Sequence, residues 1–181
     1  MSAEDDMLFL QHQKAAEQGD AKEQFLLGMW YFSGQFSGQN GLKDFAKAAE
    51  WFRKAAEQGN AEAQSKLGLL YYGGQGVPKN IVKAAEWFGK AAEQGDVKAQ
   101  FYMGLLHLIG EGVVSQDYAK AAEWFGKAAE QGDDRAQYEL GFLYFNGLGV
   151  VKDIEKANDL IRKAAAQGNA KAKELLAKVY Q

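Results

Sequence analysis

A long internal repeat limits what this chain can fold into more than any other feature. Residues 83–96 read KAAEWFGKAAEQGD, and residues 120–133 repeat them without a change. Weaker copies begin at Lys47 and Lys156. The separation between the starts of the two identical copies, at residues 83 and 120, falls within the roughly 20–50 residues typical of repeat architectures. Because one short unit cannot bury its apolar faces alone, neighbouring units must stack and share a continuous core.

The chain divides into four complete repeats with a partial repeat at each end. The complete repeats are residues 21–60, 61–96, 97–133 and 134–169. Residues 4–19 match half a unit and are predicted to form an N-terminal capping helix. Residues 170–181 are predicted to form the C-terminal capping helix. Residues 1–181 are therefore expected to be one solenoid domain.

Each repeat is predicted to be a pair of amphipathic helices. In the second repeat, Ala63, Leu67 and Tyr71 recur at helical spacing and define the apolar face of the first helix. The second helix has Ala84 and Phe88 on one face. The expected fold is all-α.

Glycine and Asx residues support these helix boundaries. Interior Gly68, Gly104 and Gly141 cost roughly 1 kcal/mol each relative to alanine, so we expect close helix contacts there. Left-handed turns are expected after the second helices, and capping Asx residues before the helices. The glycines are Gly59, Gly95, Gly132 and Gly168, and the caps are Asp44, Asn60, Asn80, Asp96, Asp117, Asp133, Asp153 and Asn169.

These motifs resemble the Sel-1-like repeat family, relatives of the tetratricopeptide repeats. The pattern is A-x-x-x-L-G-x-x-Y-x-x-G-x-G-V, a capping Asx, and then K-A-x-x-W-x-x-K-A-A-x-Q-G. In the second repeat it reads Ala63, Leu67, Gly68, Tyr71, Gly74, Gly76, Val77, Asn80, Lys83, Ala84, Trp87, Lys90, Ala91, Ala92, Gln94 and Gly95. The resemblance implies a right-handed α/α superhelical solenoid. It also implies a protein-interaction adaptor or scaffold, often bacterial.

Several positions depart from the family pattern. Glu23 replaces the first alanine, Leu160 replaces tryptophan, and His107 replaces a core tyrosine. We expect His107 to be a packed histidine with one hydrogen-bond partner. The longer first connection, residues 34–43, is either a tolerated surface insertion or a site of individual function.

Composition and motifs predict that the protein is not an enzyme. Cysteine is absent and there are only two histidines, without a metal-binding or nucleophile motif nearby. The sequence therefore predicts no catalytic residue, metal site or cofactor. A net charge of −3 with mixed signs indicates no nucleic-acid partner, and no apolar stretch is long enough to span a membrane. The acidic start predicts a cytoplasmic protein, or a periplasmic or secreted one if a leader has been removed.

A stripe of apolar side chains on the first helices is the predicted partner-binding site. At 3.6 residues per turn, positions 65, 69 and 72 lie opposite the stripe that packs on the second helix. In tetratricopeptide-like solenoids the equivalent face lines the concave surface. Apart from Ser65, this face is apolar or aromatic, as binding sites often are. Its residues are Phe25, Met29, Phe32, Leu69, Tyr72, Phe101, Leu105, Leu108, Tyr138, Phe142 and Phe145.

Three explanations account for that stripe. It binds a segment of a partner protein or peptide, it is buried between neighbouring first helices, or it forms a homodimer. For inner positions such as Leu69 and Leu105, burial and exposure both stay open, and burial is less expected for bulky positions such as Phe25, Phe101, Tyr138 and Phe142. The leading function is a non-catalytic adaptor with an aromatic-lined groove. The alternative is a dedicated inhibitor or immunity protein that blocks a toxin or enzyme.

Overall fold

The chain is helical throughout the part that the structure describes. This computed structural model describes residues 3–34, 42–112 and 114–179, and the side chains of residues 7–34, 42–112 and 114–178. The helices are α1 (Ala3–Glu17), α2 (Ala21–Ser33), α3 (Phe45–Glu57), α4 (Ala61–Gly73), α5 (Ile81–Glu93), α6 (Val97–Ile109), α7 (Tyr118–Glu130), α8 (Asp134–Asn146), α9 (Ile154–Ala166) and α10 (Ala170–Val179). These ranges contain no β-strand, and the predicted all-α fold is confirmed.

The helices form two compact units, Met1–Gln94 with α1–α5 and Gly95–Gln181 with α6–α10. In the first unit, α2 pairs with α3, α4 pairs with α5, and α3 also packs on α4. In the second unit, the pairs are α6 with α7 and α8 with α9. α1 packs on α2, and α10 packs on α9. The predicted handedness, repeat boundaries and single-domain organisation stay predictions.

Asp and Asn side chains fix where the helices begin. Each of α2–α10 follows an Asp or Asn whose side-chain oxygen accepts a hydrogen bond from a backbone N–H of the first turn. The distance from Ala63 N to Asn60 Oδ1, for example, is 2.8 Å. Each cap stabilises its helix by about 1 kcal/mol. The predicted glycines follow the second helices with positive φ, which is 91° at Gly59, Gly95 and Gly132.

An interior glycine lets the two helices of each hairpin approach closely. A Cβ atom added at Gly104 would lie 2.5 Å from Cδ1 of Phe125, and the Phe125 side chain is fully buried. The predicted close contact is therefore confirmed. The other hairpins repeat it with Gly28 against Phe52, Gly68 against Phe88, and Gly141 against Ile161.

The second glycine of the G-x-G-V connection allows a close approach of two backbones. Gly149 has a φ of 68°, and a Cβ atom there would lie 2.2 Å from the carbonyl carbon of Tyr118 at the start of α7. Gly76 makes the same approach to Phe45 in the first unit. Backbone atoms cannot move aside as a side chain can, so this connection requires glycine. Within the long first connection, residues 35–41 lie outside the described residues.

Buried glutamines join the helices through their side chains. Gln137 on α8 is 6% exposed, and its Oε1 accepts a hydrogen bond from Gln167 Nε2 at 2.9 Å. The Gln137 Nε2 donates to the carbonyl oxygen of Ala129 at 3.4 Å. Equivalent pairs are Gln24 with Gln58, Gln64 with Gln94, and Gln100 with Gln131. The first-helix glutamine was not predicted to be buried.

Candidate partner-binding surface

In the first unit, the predicted surface residues are half-buried against aromatic rings. Phe25 and Phe32 lie with their ring centroids 5.8 and 6.2 Å from that of Phe52. Tyr72 lies 6.5 Å from Phe88 in the same way. Met29 and Leu69 are also half-buried. These side chains therefore help to build the hairpins, and each leaves only part of its surface to solvent.

In the second unit, the structure corrects the prediction for Phe101. This side chain was expected to be exposed because of its size, but it is only 7% exposed. Its ring centroid lies 5.8 Å from that of Phe125, and the guanidinium carbon of Arg135 lies 4.1 Å from the Phe101 ring centroid. The Arg135 guanidinium also pairs with Asp133 at 2.7 Å. Phe101 is a core residue, because α7 and the start of α8 enclose it.

Exposure along the predicted stripe is greatest on α8. Leu105 and Leu108 on α6 and Tyr138 on α8 are half-buried. Phe142 and Phe145, about one and two turns further along α8, are 44% and 49% exposed. Two adjacent phenylalanines that keep half of their surface in water mark the part of the stripe best suited to contact another molecule.

These two phenylalanines border an apolar cleft. Its volume is about 170 Å³. Its apolar walls are Phe142, Phe145, Ile161, Leu175 and Leu176, from α8, α9 and α10. The side chains of Asn146 and Asn158 add amide groups to the lining. The cleft can accept an apolar group and offers polar groups beside it, as ligand sites commonly do.

Charged side chains lie on or next to the helices that form the cleft, and none of them belongs to its lining. Lys152 Nζ lies 5.8 Å from the ring centroid of Phe145. On α10, Lys178 Nζ pairs with Glu174 at 2.7 Å, and both side chains are exposed. Burial raises the pKa of the Glu139 carboxyl on α8, although Lys171, with Nζ 3.5 Å away, acts in the opposite direction. Such groups suit a polar rim around an apolar centre.

Sequence reasoning missed the cleft residues on α9 and α10. The stripe was drawn on the first helices alone, so Asn158, Ile161, Leu175 and Leu176 were not selected. One visible signal was the segment KANDLI at residues 156–161, where the other second helices read KAAEWF. Leu160 was recognised from the sequence as a replacement for tryptophan. The residue that lines the cleft, however, is its neighbour Ile161, which replaces phenylalanine.

His107 has the packed environment that was predicted. Its ring is half-buried and hydrogen-bonds the backbone of Ser115, while Nδ1 has no partner among the described residues. Burial lowers the pKa of His107, and the nearby Lys120 lowers it further. Within the described ranges, no group of three or more His, Asp or Glu residues could hold a metal ion. None of the described helices has the length and apolar character needed to cross a membrane.

A family model described as the Sel1 repeat matches most of the chain. The matched residues are 12–20, 24–60, 61–96, 97–133 and 134–169. No curated protein matches the chain.

Solved structures of bacterial proteins show the same fold. A protective antigen of uropathogenic Escherichia coli with an SLR fold is 41% identical over 95% of this chain, with a TM-score of 0.85. A Sel1 repeat protein from Oxalobacter formigenes is 38% identical over 90% of this chain, with a TM-score of 0.78. Helicobacter pylori cysteine rich protein B is 26% identical over 74% of this chain and 95% of its own, with a TM-score of 0.57. The chain spans 36% of the length of the first protein and 64% of the second.

Proposed function

The chain belongs to the Sel1 repeat family, whose members are generally protein-interaction modules, and we propose that it is a non-catalytic adaptor that binds a partner polypeptide. The exposed pair Phe142 and Phe145 on α8 is the observation that carries this proposal. Binding centres on this pair and the adjoining cleft. The half-buried stripe residues of the second unit extend the contact area. They are Leu105 and Leu108 on α6 and Tyr138 on α8.

The energetics of aromatic side chains support this assignment. A large apolar side chain gains about 1.5–3 kcal/mol when it moves from water into a fully apolar environment. Phe142 and Phe145 obtain only part of that gain within the chain, since about half of each remains exposed. A partner that covers both rings would supply the rest. Aromatic residues, phenylalanine among them, are enriched in the core of protein interfaces.

The proposal is tested by placing a photo-crosslinking amino acid at Phe142. The same amino acid at Glu155, an exposed residue on α9, is the matched control. Irradiation in the cells that produce the protein should give a covalent adduct to one or a few polypeptides from position 142 only. Mass spectrometry identifies the adduct. A crosslink between two copies of the chain would indicate a homodimer through this face instead.

Alanine variants separate binding from folding. Phe142→Ala should weaken capture of the crosslinked partner and should lower stability by less than Phe101→Ala does, because about half of the Phe142 side chain is already exposed. Phe101→Ala should lower stability by about 3–5 kcal/mol, as expected for a buried phenylalanine. Equal crosslinking from positions 142 and 155, or capture that survives Phe142→Ala unchanged, would contradict the proposed function.

A further inference from the structure

We propose that the cleft beside Ile161 is a binding pocket for one aromatic side chain of the partner, of the size of phenylalanine. This proposal rests on the proposed function, because it names the chemistry of the group that the adaptor recognises. Its basis is a comparison of the four hairpins with one another.

Three of the four hairpins fill the equivalent position with a ring from their own second helix. Phe52, Phe88 and Phe125 occupy it in α3, α5 and α7, and all three side chains are fully buried. In α9 the same position is Ile161. An isoleucine side chain is shorter than a phenylalanine and has no ring.

The walls of the cleft include a residue whose equivalent contacts this ring in two of the other hairpins. Phe145 on α8 corresponds to Phe32 on α2 and Tyr72 on α4. Those two rings lie 6.2 and 6.5 Å from Phe52 and Phe88, respectively. Phe145 faces a cleft instead, and it is 49% exposed. The wall that normally receives a ring is therefore present, and the ring of the chain itself is replaced by a smaller side chain.

The size and chemistry of the cleft fit an aromatic group. Its volume of about 170 Å³ is comparable with apolar cavities of about 150 Å³ that hold benzene. Leu175 and Leu176 on α10 also line the cleft, and both are half-buried. Asn146 and Asn158 add polar groups to the lining. A partner residue with a ring would thus complete the packing that the other hairpins complete internally.

The direct test uses a short peptide as the probe. The peptide acetyl-Ala-Phe-Ala-amide is titrated into the full chain, and the methyl signals of Ile161, Leu175 and Leu176 are followed by NMR. We expect saturable shifts with a dissociation constant of roughly 1 mM, since one anchoring ring gives a weak ligand. Acetyl-Ala-Ala-Ala-amide should leave these signals unchanged. Equal shifts with both peptides, or no shift with either, would overturn the proposal.

A variant that fills the cleft provides the second test. Ile161→Phe should place a ring where the other hairpins have one, because Gly141 already supplies the facing glycine. The expected results are a melting temperature raised by roughly 2–4 °C and peptide affinity reduced at least tenfold. Ile154→Phe is the matched control, since Ile154 lies on the same helix, is exposed, and does not line the cleft. It should bind the peptide as the unmodified chain does.

The outcomes separate this proposal from the function on which it rests. A partner that is captured equally well by Ile161→Phe would overturn the aromatic pocket and leave the adaptor function intact. Peptide binding that Ile161→Phe abolishes, in a chain that crosslinks to no polypeptide, would support the pocket and overturn the adaptor function. A lower melting temperature for Ile161→Phe would show that the cleft does not fit a ring and would overturn the pocket.

Discussion

The same substitution, glycine to alanine, should have opposite effects at two positions of one hairpin. Gly104 lies inside α6 and Gly126 lies inside α7, immediately after Phe125. Both changes gain about 0.5–1 kcal/mol of helix stability, because glycine is a poor residue in helix interiors. They differ in what the new methyl group would contact. At Gly126 there is nothing within 4 Å, whereas at Gly104 three ring atoms of Phe125 lie 2.5, 2.6 and 3.0 Å away.

The ring of Phe125 has little freedom to move away from that methyl group. It is fully buried, and the ring of Phe101 packs on it. Inserting a methyl group into such a core costs about 1–3 kcal/mol, and these contacts favour the upper end. When the gain in helix propensity is subtracted from this packing cost, Gly104→Ala should destabilise the folded chain by about 2 kcal/mol. Gly126→Ala should be stabilised by up to about 1 kcal/mol.

Thermal unfolding followed by circular dichroism measures the difference between the two variants. A gap of about 3 kcal/mol corresponds to roughly 6–12 °C in melting temperature for a chain of this size. Combining Gly104→Ala with Phe125→Leu should recover at least about 1 kcal/mol relative to the sum of the single changes, since the ring is removed. Equal melting temperatures for Gly104→Ala and Gly126→Ala would refute the claim that glycine is needed there for close packing.

Two further predictions concern polar groups within the second unit. The lowered pKa of His107 means that the unfolded chain binds a proton more readily, so stability present above about pH 6.5 should be lost as the pH falls. His107→Tyr should remove that loss, and melting temperatures of both proteins between pH 8 and pH 5 measure the difference. The same loss of stability in both proteins would contradict this role of His107. Gln137→Leu should cost about 1 kcal/mol in urea unfolding, because its hydrogen bonds to Gln167 and Ala129 disappear, and an unchanged midpoint would contradict that role.

The fold could be predicted because its determinants are local and repeated. Asp and Asn caps, terminal glycines and apolar residues at helical spacing each act within a few residues of their own position. Gly104 was recognisable as a packing residue because a glycine inside a helix needs a reason. The buried Gln137 was not recognised, since one sequence cannot show whether a polar residue on a helix faces solvent or a hydrogen-bond partner in another helix.

The candidate site was predicted only in part, because exposure depends on neighbouring helices. Helical rotation assigned Phe101 and Phe142 to the same face. It could not show that α7 and Arg135 enclose Phe101 whereas Phe142 stays 44% exposed. The cleft also needs Leu175 and Leu176 from α10, and their contribution follows from tertiary packing rather than from spacing along the chain.

In an array of similar hairpins, positions that differ between hairpins are informative, because the shared positions already account for the packing. Ile161 illustrates this, since three equivalent residues are fully buried phenylalanines facing a glycine. Gly141 is retained opposite Ile161, where a Cβ atom would still lie 2.8 Å from Cγ1 of Ile161 and 3.1 Å from the carbonyl oxygen of Ala157. A hairpin that keeps the space for a ring but lacks the ring loses packing energy that a bound aromatic side chain could restore.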